Sequence, residues 1–383
     1  MILVNNPGSW SHIYPPLEHA PWHGLTPTDL VFPFFLFAVG NAMAFVFPRL
    51  EAAGPAAFWK KILKRTALIF LIGLFLNWWP FVRWHEDSLV FKQWVESDNP
   101  SNGVRILGVL QRIALCYFFA SVLIFYLKPA RAFYAGLMLL LLYWVICFIG
   151  NPSDPYSLQG WFGTAIDQRI LGVAHLYKGE GVPFDPEGLV STIPAIVEVI
   201  FGFMVGHYIQ AKRTGLPDDP PGSKSGLQAA VNGLFAAAVV LLVTGYAWNM
   251  VFPVNKKIWT SSYTIVTVGL ATLTIATMIY LIDIRNYRGF ITRFFNVFGK
   301  NALFVFALSA FLPRTLGLIR IENGLNEKGD MTYYSPWTWL YQKVLIHIPG
   351  DPRMGSLIYA LAVITFMWSI CWWLDKRKIY IRV

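Results

Sequence analysis

The sequence predicts an all-α polytopic membrane protein, a helical bundle of about ten transmembrane helices of which the first is truncated. The composition favours this fold, because 56% of the 383 residues are hydrophobic and only 14% are charged, whereas soluble globular proteins carry about 25% charged residues. Many of the 16 tryptophans lie at the ends of apolar runs, as in the aromatic belts of membrane proteins. We therefore interpret residues 1–383 as a single integral-membrane domain.

Continuous apolar runs, each about long enough to cross the ~30 Å hydrocarbon core of a bilayer, predict the individual helices. A shorter apolar fragment, Met1–Val4, precedes them, and we interpret it as the end of a first helix whose beginning is absent. The runs predicted to span the membrane are 28–48, 62–80, 104–127, 131–149, 190–209, 226–249, 262–284, 298–318 and 355–374.

The basic residues indicate how these helices are oriented. The net charge is +10, but the basic residues do not form one patch, so no nucleic-acid partner is expected. They gather instead in alternate connections, which the positive-inside rule assigns to the cytoplasm. This assignment places the C-terminus, with Lys376 and Arg377, in the cytoplasm and the segment around His19 on the opposite side.

Ionisable residues inside apolar runs are candidates for function, because a bilayer offers charged groups no water. Asp283 and Arg314 lie near the ends of their runs, where a structural role is the simpler interpretation. Arg112 and Glu198 lie deeper, and either a buried ion pair or a functional role accounts for them. The remaining one, Asp29, stands at the start of the first complete run.

His19 precedes Asp29 by ten residues, across a short turn at the boundary of that helix. A carboxylate within hydrogen-bond reach of an imidazole fixes its tautomer and raises its basicity, which suits a general base. The alternative role of Asp29 is to cap the helix that begins there, since carboxylates favour helix N-termini. The two roles are compatible.

The other polar residues near His19 are histidines and asparagines. His12 and His23 cluster with it, but no cysteine joins them at ligand spacing and the only nearby carboxylate is the adjacent Glu18, so no metal site is expected. The side-chain amide of Asn5 is a candidate donor to an oxyanion. Capping of the preceding helical turn is the alternative for this residue.

The segment at residues 19–33, HAPWHGLTPTDLVFP, resembles the signature of the heparan-α-glucosaminide N-acetyltransferase family. The resemblance extends from residue 2 to the last apolar run. The further segments that carry it are 105–117 (RILGVLQRIALCY), 184–189 (FDPEGL), 192–195 (TIPA), 255–263 (NKKIWTSSY) and 299–303 (GKNAL).

The resemblance implies a transmembrane acetyltransferase. Cytosolic acetyl-CoA would donate its acetyl group to the amine of a glucosamine-type sugar, or of its oligosaccharide, on the periplasmic side of a bacterial inner membrane. His19 matches the family's essential histidine, Asn5 its asparagine and Asp29 its aspartate, and no metal is implied. His19 then serves either as general base or as a nucleophile that accepts the acetyl group. Membrane lipid surrounds such a protein, and a homodimer stays open as its oligomeric state.

The donor imposes a further expectation, because charged CoA cannot enter lipid. Its phosphates are expected at the cytoplasmic mouth, with the pantetheine arm threaded inward between helices. Lys60, Lys64, Arg65 and Arg288 are available for the phosphates, and ordinary positive-inside topology is the alternative for each. Two other functions stay open: an amino-sugar permease, and an O-acyltransferase that modifies a cell-envelope polysaccharide.

Overall fold

The computed structural model describes residues 1–213, 224–325 and 331–381, which form a mostly helical protein with two small antiparallel hairpins. The α-helices are α1 (Ile2–Asn5), α2 (Val31–Ala52), α3 (Gly54–Trp78), α4 (Val109–Gly150), α5 (Gly163–Leu171), α6 (Thr192–Arg213), α7 (Lys224–Asn249), α8 (Ser261–Met278), α9 (Phe290–Lys300), α10 (Ala302–Leu316), α11 (Pro336–Lys343) and α12 (Pro352–Lys376). The strands are β1 (Val82–His85), β2 (Ser88–Phe91), β3 (Ile321–Leu325) and β4 (Met331–Tyr334). Short 3-10 turns cover Pro15–Leu17, Pro27–Leu30, Val173–His175 and Leu345–His347, and a π-helical turn covers Ile279–Ile284.

The helices confirm a multi-pass membrane protein, although the expected count of about ten spans is not confirmed. Among the described residues, with the 42-residue α4 counted once, six helices are long and apolar enough to cross a bilayer, or seven if the bent pair α9 and α10 forms one span. These two helices meet at an angle of 77°, within the predicted run 298–318. The predicted run 62–80 falls in α3, whose first half carries the basic residues Lys60, Lys61, Lys64 and Arg65.

Two predicted runs, 104–127 and 131–149, lie together in α4. This segment has 42 residues, but Lys128 has non-helical backbone angles (φ 67°, ψ 161°) and is followed by Pro129. Proline removes a backbone donor and clashes with the preceding turn of a helix. The structure therefore divides α4 into two helices at the position where the sequence separates the two runs.

Glycines bring α2 and α6 into close contact at the centre of the bundle. A Cβ atom on Gly40 would lie 1.9 Å from the carbonyl oxygen of Val199, and one on Gly202 would lie 2.1 Å from that of Phe37. Small residues at a helix crossing allow backbones to approach in this way, which favours helix association in a membrane. The pair α2 and α6 therefore forms a rigid support, and the candidate site lies at the N-terminal end of α2.

The buried charges Arg112 and Glu198 do not form the ion pair that their positions suggested, so that interpretation is wrong. Arg112 donates from Nη2 to the carbonyl oxygen of Gly188 (3.1 Å) and to the hydroxyl of Ser191. Glu198 accepts a hydrogen bond from Thr267 (3.1 Å). Each charge is thus held by neighbouring backbone or hydroxyl groups, which no spacing rule in the sequence specifies.

Candidate active site

The His19–Asp29 pair forms at the turn that leads into α2. Asp29 Oδ1 lies 2.6 Å from Nδ1 of His19. Asp29 Oδ2 accepts hydrogen bonds from the backbone N–H of Ala20 (3.1 Å), from that of Thr26 (3.1 Å) and from the Thr26 hydroxyl (3.0 Å). Thr26 and Asp29 form a capping box at the 3-10 turn. One carboxylate therefore performs both roles considered from the sequence, capping the turn with one oxygen and contacting the imidazole with the other.

The loop before α8 and the first turn of α8 hold this turn in place. The hydroxyl of Tyr263 donates to the carbonyl oxygen of Asp29 (2.6 Å), and the backbone N–H of Gly24 donates to the carbonyl oxygen of Val254 (2.8 Å). Trp259 packs edge-on against Phe32, with 5.2 Å between the ring centroids. Two segments more than two hundred residues apart in the chain thus build one rigid wall.

The geometry of this pair determines which nitrogen of His19 is available for chemistry. The side chain of Asp29 is 1% exposed, while that of His19 is 42% exposed. A buried carboxylate that contacts Nδ1 stabilises the tautomer in which Nδ1 carries the hydrogen. Nε2 is then the basic nitrogen, and the side chain that carries it lines the cavity described below.

Lys256 completes the site, and sequence reasoning did not assign it a role. Its Nζ lies 3.0 Å from Nδ1 and 3.4 Å from Nε2 of His19, and 3.5 Å from Oδ1 of Asp29. Burial lowers the pKa of Lys256, and the negative charges of Asp29 and Glu187 oppose this shift. Lys256 is 237 positions away from His19 in the chain, so sequence spacing does not indicate that the two are in contact. The only sign in the sequence that Lys256 has a role is that it lies in the 255–263 segment, which carries part of the resemblance.

A cavity of about 240 Å³ opens in front of His19. Its wall is mainly charged, amide and aromatic, which suits a polar ligand held among aromatic rings. Residues that line it include Asn5, His19, Trp22, Asp29, Arg105, Tyr177, Glu180, Glu187, Lys256, Lys257 and Trp259.

Asn5 lines this cavity together with His19 and Asp29, the two other residues that the resemblance assigns to the reaction. It also lines a second cavity of about 460 Å³, which shares Arg105, Val109 and Tyr177 with the first. Its side-chain amide has no hydrogen-bond partner among the described residues, whereas the neighbouring Asn6 caps α1 by donating to the carbonyl oxygen of Ile2 (3.0 Å). The structure thus leaves the Asn5 amide free to meet a ligand.

Most of the other charges in the wall are already paired. Arg105 contacts both Asp185 and Glu187 at 2.5 Å, and Lys257 contacts Glu180 at 2.6 Å. Burial alone would raise the pKa of Glu187, but the positive charge of Arg105 holds it below its ordinary value. Glu187 is therefore an anion committed to Arg105.

Three of the residues proposed for CoA phosphates, Lys60, Lys64 and Arg65, lie in α3, and Arg288 lies just before α9. None of the four lines the cavity that contains His19. Arg65 lines a third cavity, of about 870 Å³, and its guanidinium lies 4.9 Å from the ring centre of Tyr117. Lys60, Lys64 and Arg288 are exposed and do not line this cavity.

Helix α2 lines both the first and the third cavity. Its residue Phe32 lines the first cavity and Phe35 lines the third. Three residues of a helix rise only about 4.5 Å, so less than one turn of α2 separates the two spaces along the helix axis.

The three N-terminal histidines have separate partners. His12 lies 3.4 Å from the Tyr341 hydroxyl and His23 lies 3.4 Å from the Asn255 amide. Within the ranges that the structure describes, no group of three or more His, Cys, Asp or Glu side chains is arranged to hold a metal ion. Asp283 and Arg314, expected to be structural, are both exposed.

Comparison with curated proteins finds two relatives by sequence. The chain is 26% identical over 310 residues to the heparan-alpha-glucosaminide N-acetyltransferase of Homo sapiens, and 26% identical over 315 residues to that of Mus musculus. Each alignment covers 69% of this chain and 44% of the relative, so the chain spans less than half the length of the curated relatives it matches. No protein-family model matches the sequence. The resemblance seen in the sequence is confirmed by these alignments: over 69% of its length the chain is similar to the heparan-alpha-glucosaminide N-acetyltransferases.

Proposed function

We propose that this protein is a transmembrane acetyltransferase that moves an acetyl group from acetyl-CoA to the amine of a glucosamine-type sugar. The observation that carries the proposal is the 2.6 Å contact between His19 and Asp29, at the edge of a cavity lined by charged and aromatic side chains and at the end of a membrane-spanning helix. The names of the two relatives support the same chemistry.

In the proposed reaction His19 acts as the general base. The amine nitrogen attacks the thioester carbonyl carbon, so that an N–C bond forms and the C–S bond breaks. The proton of the amine passes to Nε2 of His19, and CoA leaves as a thiolate that recovers this proton from the imidazolium. Asp29 stabilises the imidazolium between these steps. Asn5, whose amide faces the cavity, is proposed as a donor to the oxyanion. An acetyl-histidine intermediate is the alternative route for the same residues.

Acetyl-CoA is proposed to approach from the end of the bundle at which α3 begins. Arg65 at the third cavity suits a phosphate of CoA, and the short distance along α2 suits a pantetheine arm that reaches His19. Lys60, Lys64 and Arg288 are proposed to attract the phosphates from the surface.

The positive-inside rule supports a cytoplasmic position for this end and for the C-terminus. The acceptor, an amino sugar or its oligosaccharide, is then proposed to bind on the periplasmic side of a bacterial inner membrane. A homodimer stays a prediction.

The test is CoA release by the purified protein in nanodiscs supplied with acetyl-CoA and glucosamine. We expect release that is matched by acetylated amine, and a loss of about 10²- to 10⁴-fold in His19→Ala, because a positioned base contributes about that much. His85→Ala is the matched control, since His85 is an exposed histidine of the β1 hairpin.

Other outcomes identify the alternatives. Acetyl groups released by mild alkali would point to a hydroxyl acceptor and an O-acyltransferase. Counterflow of labelled sugar in vesicles without CoA release would point to a permease, and either result would overturn the proposal.

A further inference from the structure

The ammonium group of Lys256 has only a long ion pair with one of its two neighbouring carboxylates. Asp29 is the nearer, but its Oδ1 lies 3.5 Å from Nζ and only 2.6 Å from the imidazole of His19. The other is Glu187, which is bound to Arg105 at 2.5 Å. The ion pair of Lys256 is therefore long and shared with His19, which leaves room for a closer anionic partner.

The position of Lys256 indicates which anionic group could contact it more closely. Its side chain is 20% exposed and lines the same cavity as His19. Nζ lies 3.4 Å from Nε2, the nitrogen that would accept a proton from the substrate. A carbonyl group attacked by an amine that is hydrogen-bonded to Nε2 therefore lies beside the ammonium group.

We propose that Lys256 is a catalytic residue of the transfer, whose ammonium group stabilises the oxyanion that forms on the acetyl oxygen when the amine attacks. The charge is needed only while the tetrahedral intermediate exists, so the interaction is stronger in the transition state than with bound acetyl-CoA. As the intermediate collapses, the electron pair returns to the carbonyl bond and the C–S bond breaks, which restores the resting arrangement. This role rests on the proposed function, and it adds a charged donor to the neutral amide of Asn5.

The test compares Lys256→Met and Lys256→Arg with the unmodified protein in nanodiscs, measuring kcat and KM for acetyl-CoA and for glucosamine. Removal of one oxyanion donor lowers kcat by about 10²- to 10³-fold. We expect a loss of that size in Lys256→Met with both KM values within about threefold, and at least a tenfold recovery in Lys256→Arg, which keeps the charge. The control is Lys178→Met, since Lys178 lies outside the cavity and donates to Ser101 and Asn102.

Each outcome decides between the two proposals. A Lys256→Met variant with unchanged kcat, or one whose defect lies in KM for glucosamine, would overturn the role of Lys256 while leaving acetyl transfer intact. Equal losses in the Met and Arg variants would also overturn it, because charge would not be the property that matters. No CoA release by the unmodified protein would overturn the proposed function, and this role with it. Melting temperature and elution volume establish that each variant is folded, and Lys256→Gln replaces any variant that is not.

Discussion

Replacement of Asp29 by asparagine tests the proposed base most sharply, because it changes a charge and a hydrogen-bond pattern with little change in shape. Asp29 makes one contact to His19 through Oδ1, while Oδ2 accepts from Ala20 and Thr26. An asparagine must keep its oxygen toward those two backbone N–H groups, because its own NH₂ group cannot accept from them. The NH₂ group then faces His19.

The consequence for His19 is a change of tautomer. Facing an NH₂ donor, Nδ1 becomes the acceptor and the hydrogen moves to Nε2, which can no longer take a proton from the amine. The same substitution in a serine-protease triad lowers kcat by about 10⁴-fold through the wrong tautomer, and we expect a loss of about 10³- to 10⁴-fold here. Stability changes much less, because a charge-assisted hydrogen bond is replaced by a neutral one, a difference of about 1–2 kcal/mol.

The assay is CoA release at saturating acetyl-CoA, with thermal melting of the same sample in detergent. The matched control is Asp98→Asn, since the Asp98 side chain is 50% exposed and contacts Arg83 away from the cavity. An Asp29→Asn protein that is folded and retains the original kcat would show that Asp29 only caps the turn, and the base mechanism would be wrong.

Three further predictions follow from other parts of the structure. Arg65→Gln is expected to raise KM for acetyl-CoA about tenfold or more through loss of a charge-assisted contact to phosphate, whereas Arg131→Gln, an exposed arginine of α4, is expected to leave KM unchanged; equal KM values in both would remove Arg65 from the donor site. Gly202→Val is expected to destabilise the protein by about 3 kcal/mol or more, because its Cβ would lie 2.1 Å from a backbone oxygen of α2, while Gly289→Ala, with no atom within 4 Å of the added Cβ, is expected to melt as the unmodified protein does; similar melting temperatures for both variants would contradict the close crossing. Burial raises the pKa of Asp167 from 3.8 to about 6, so its contribution to stability is complete below pH 4 and is lost as the pH rises through about 6, a change of about 3 kcal/mol. Asp167→Asn is therefore expected to melt at a higher temperature than the unmodified protein at pH 7.5 and to lose this part of the pH dependence, and identical pH profiles would contradict the raised pKa.

The sequence predicted the local part of the site because its determinants are local. His19 and Asp29 are ten residues apart on either side of one turn, and Thr26 supplies the capping box that fixes this turn. A helix start with these residue types has few ways to satisfy its donors. The Lys128–Pro129 break in α4 was likewise visible, as the gap between two apolar runs.

The long-range part of the site could not be predicted in this way. Lys256 reaches His19 only because Tyr263 and the loop before α8 pack against the start of α2, and sequence spacing contains no information about that contact. The ion pair between Arg112 and Glu198, one of the two interpretations left open by the sequence, does not form for a related reason. Opposite charges attract, but the carbonyl oxygen of Gly188 and the hydroxyl of Ser191 reach Arg112 instead.

The predicted number of membrane spans exceeds the number of candidate spans among the described residues because of basic residues within one apolar run and a helix bend within another. Hydropathy predicts the run 62–80, but two basic residues of α3, Lys64 and Arg65, lie within it, and the bend between α9 and α10 divides another run. A sequence profile reports apolar length and not helix direction.

The most direct measurement of the central claim uses proteoliposomes that enclose glucosamine. Acetyl-CoA that carries a label in its acetyl group is added outside. The account predicts that labelled N-acetylglucosamine accumulates inside at the same rate as CoA is released outside. It also predicts that both rates fall by about 10²- to 10⁴-fold in His19→Ala. The account would be contradicted if His19→Ala produced acetylated sugar at the original rate, or if glucosamine left the vesicles unchanged while acetyl-CoA stayed intact.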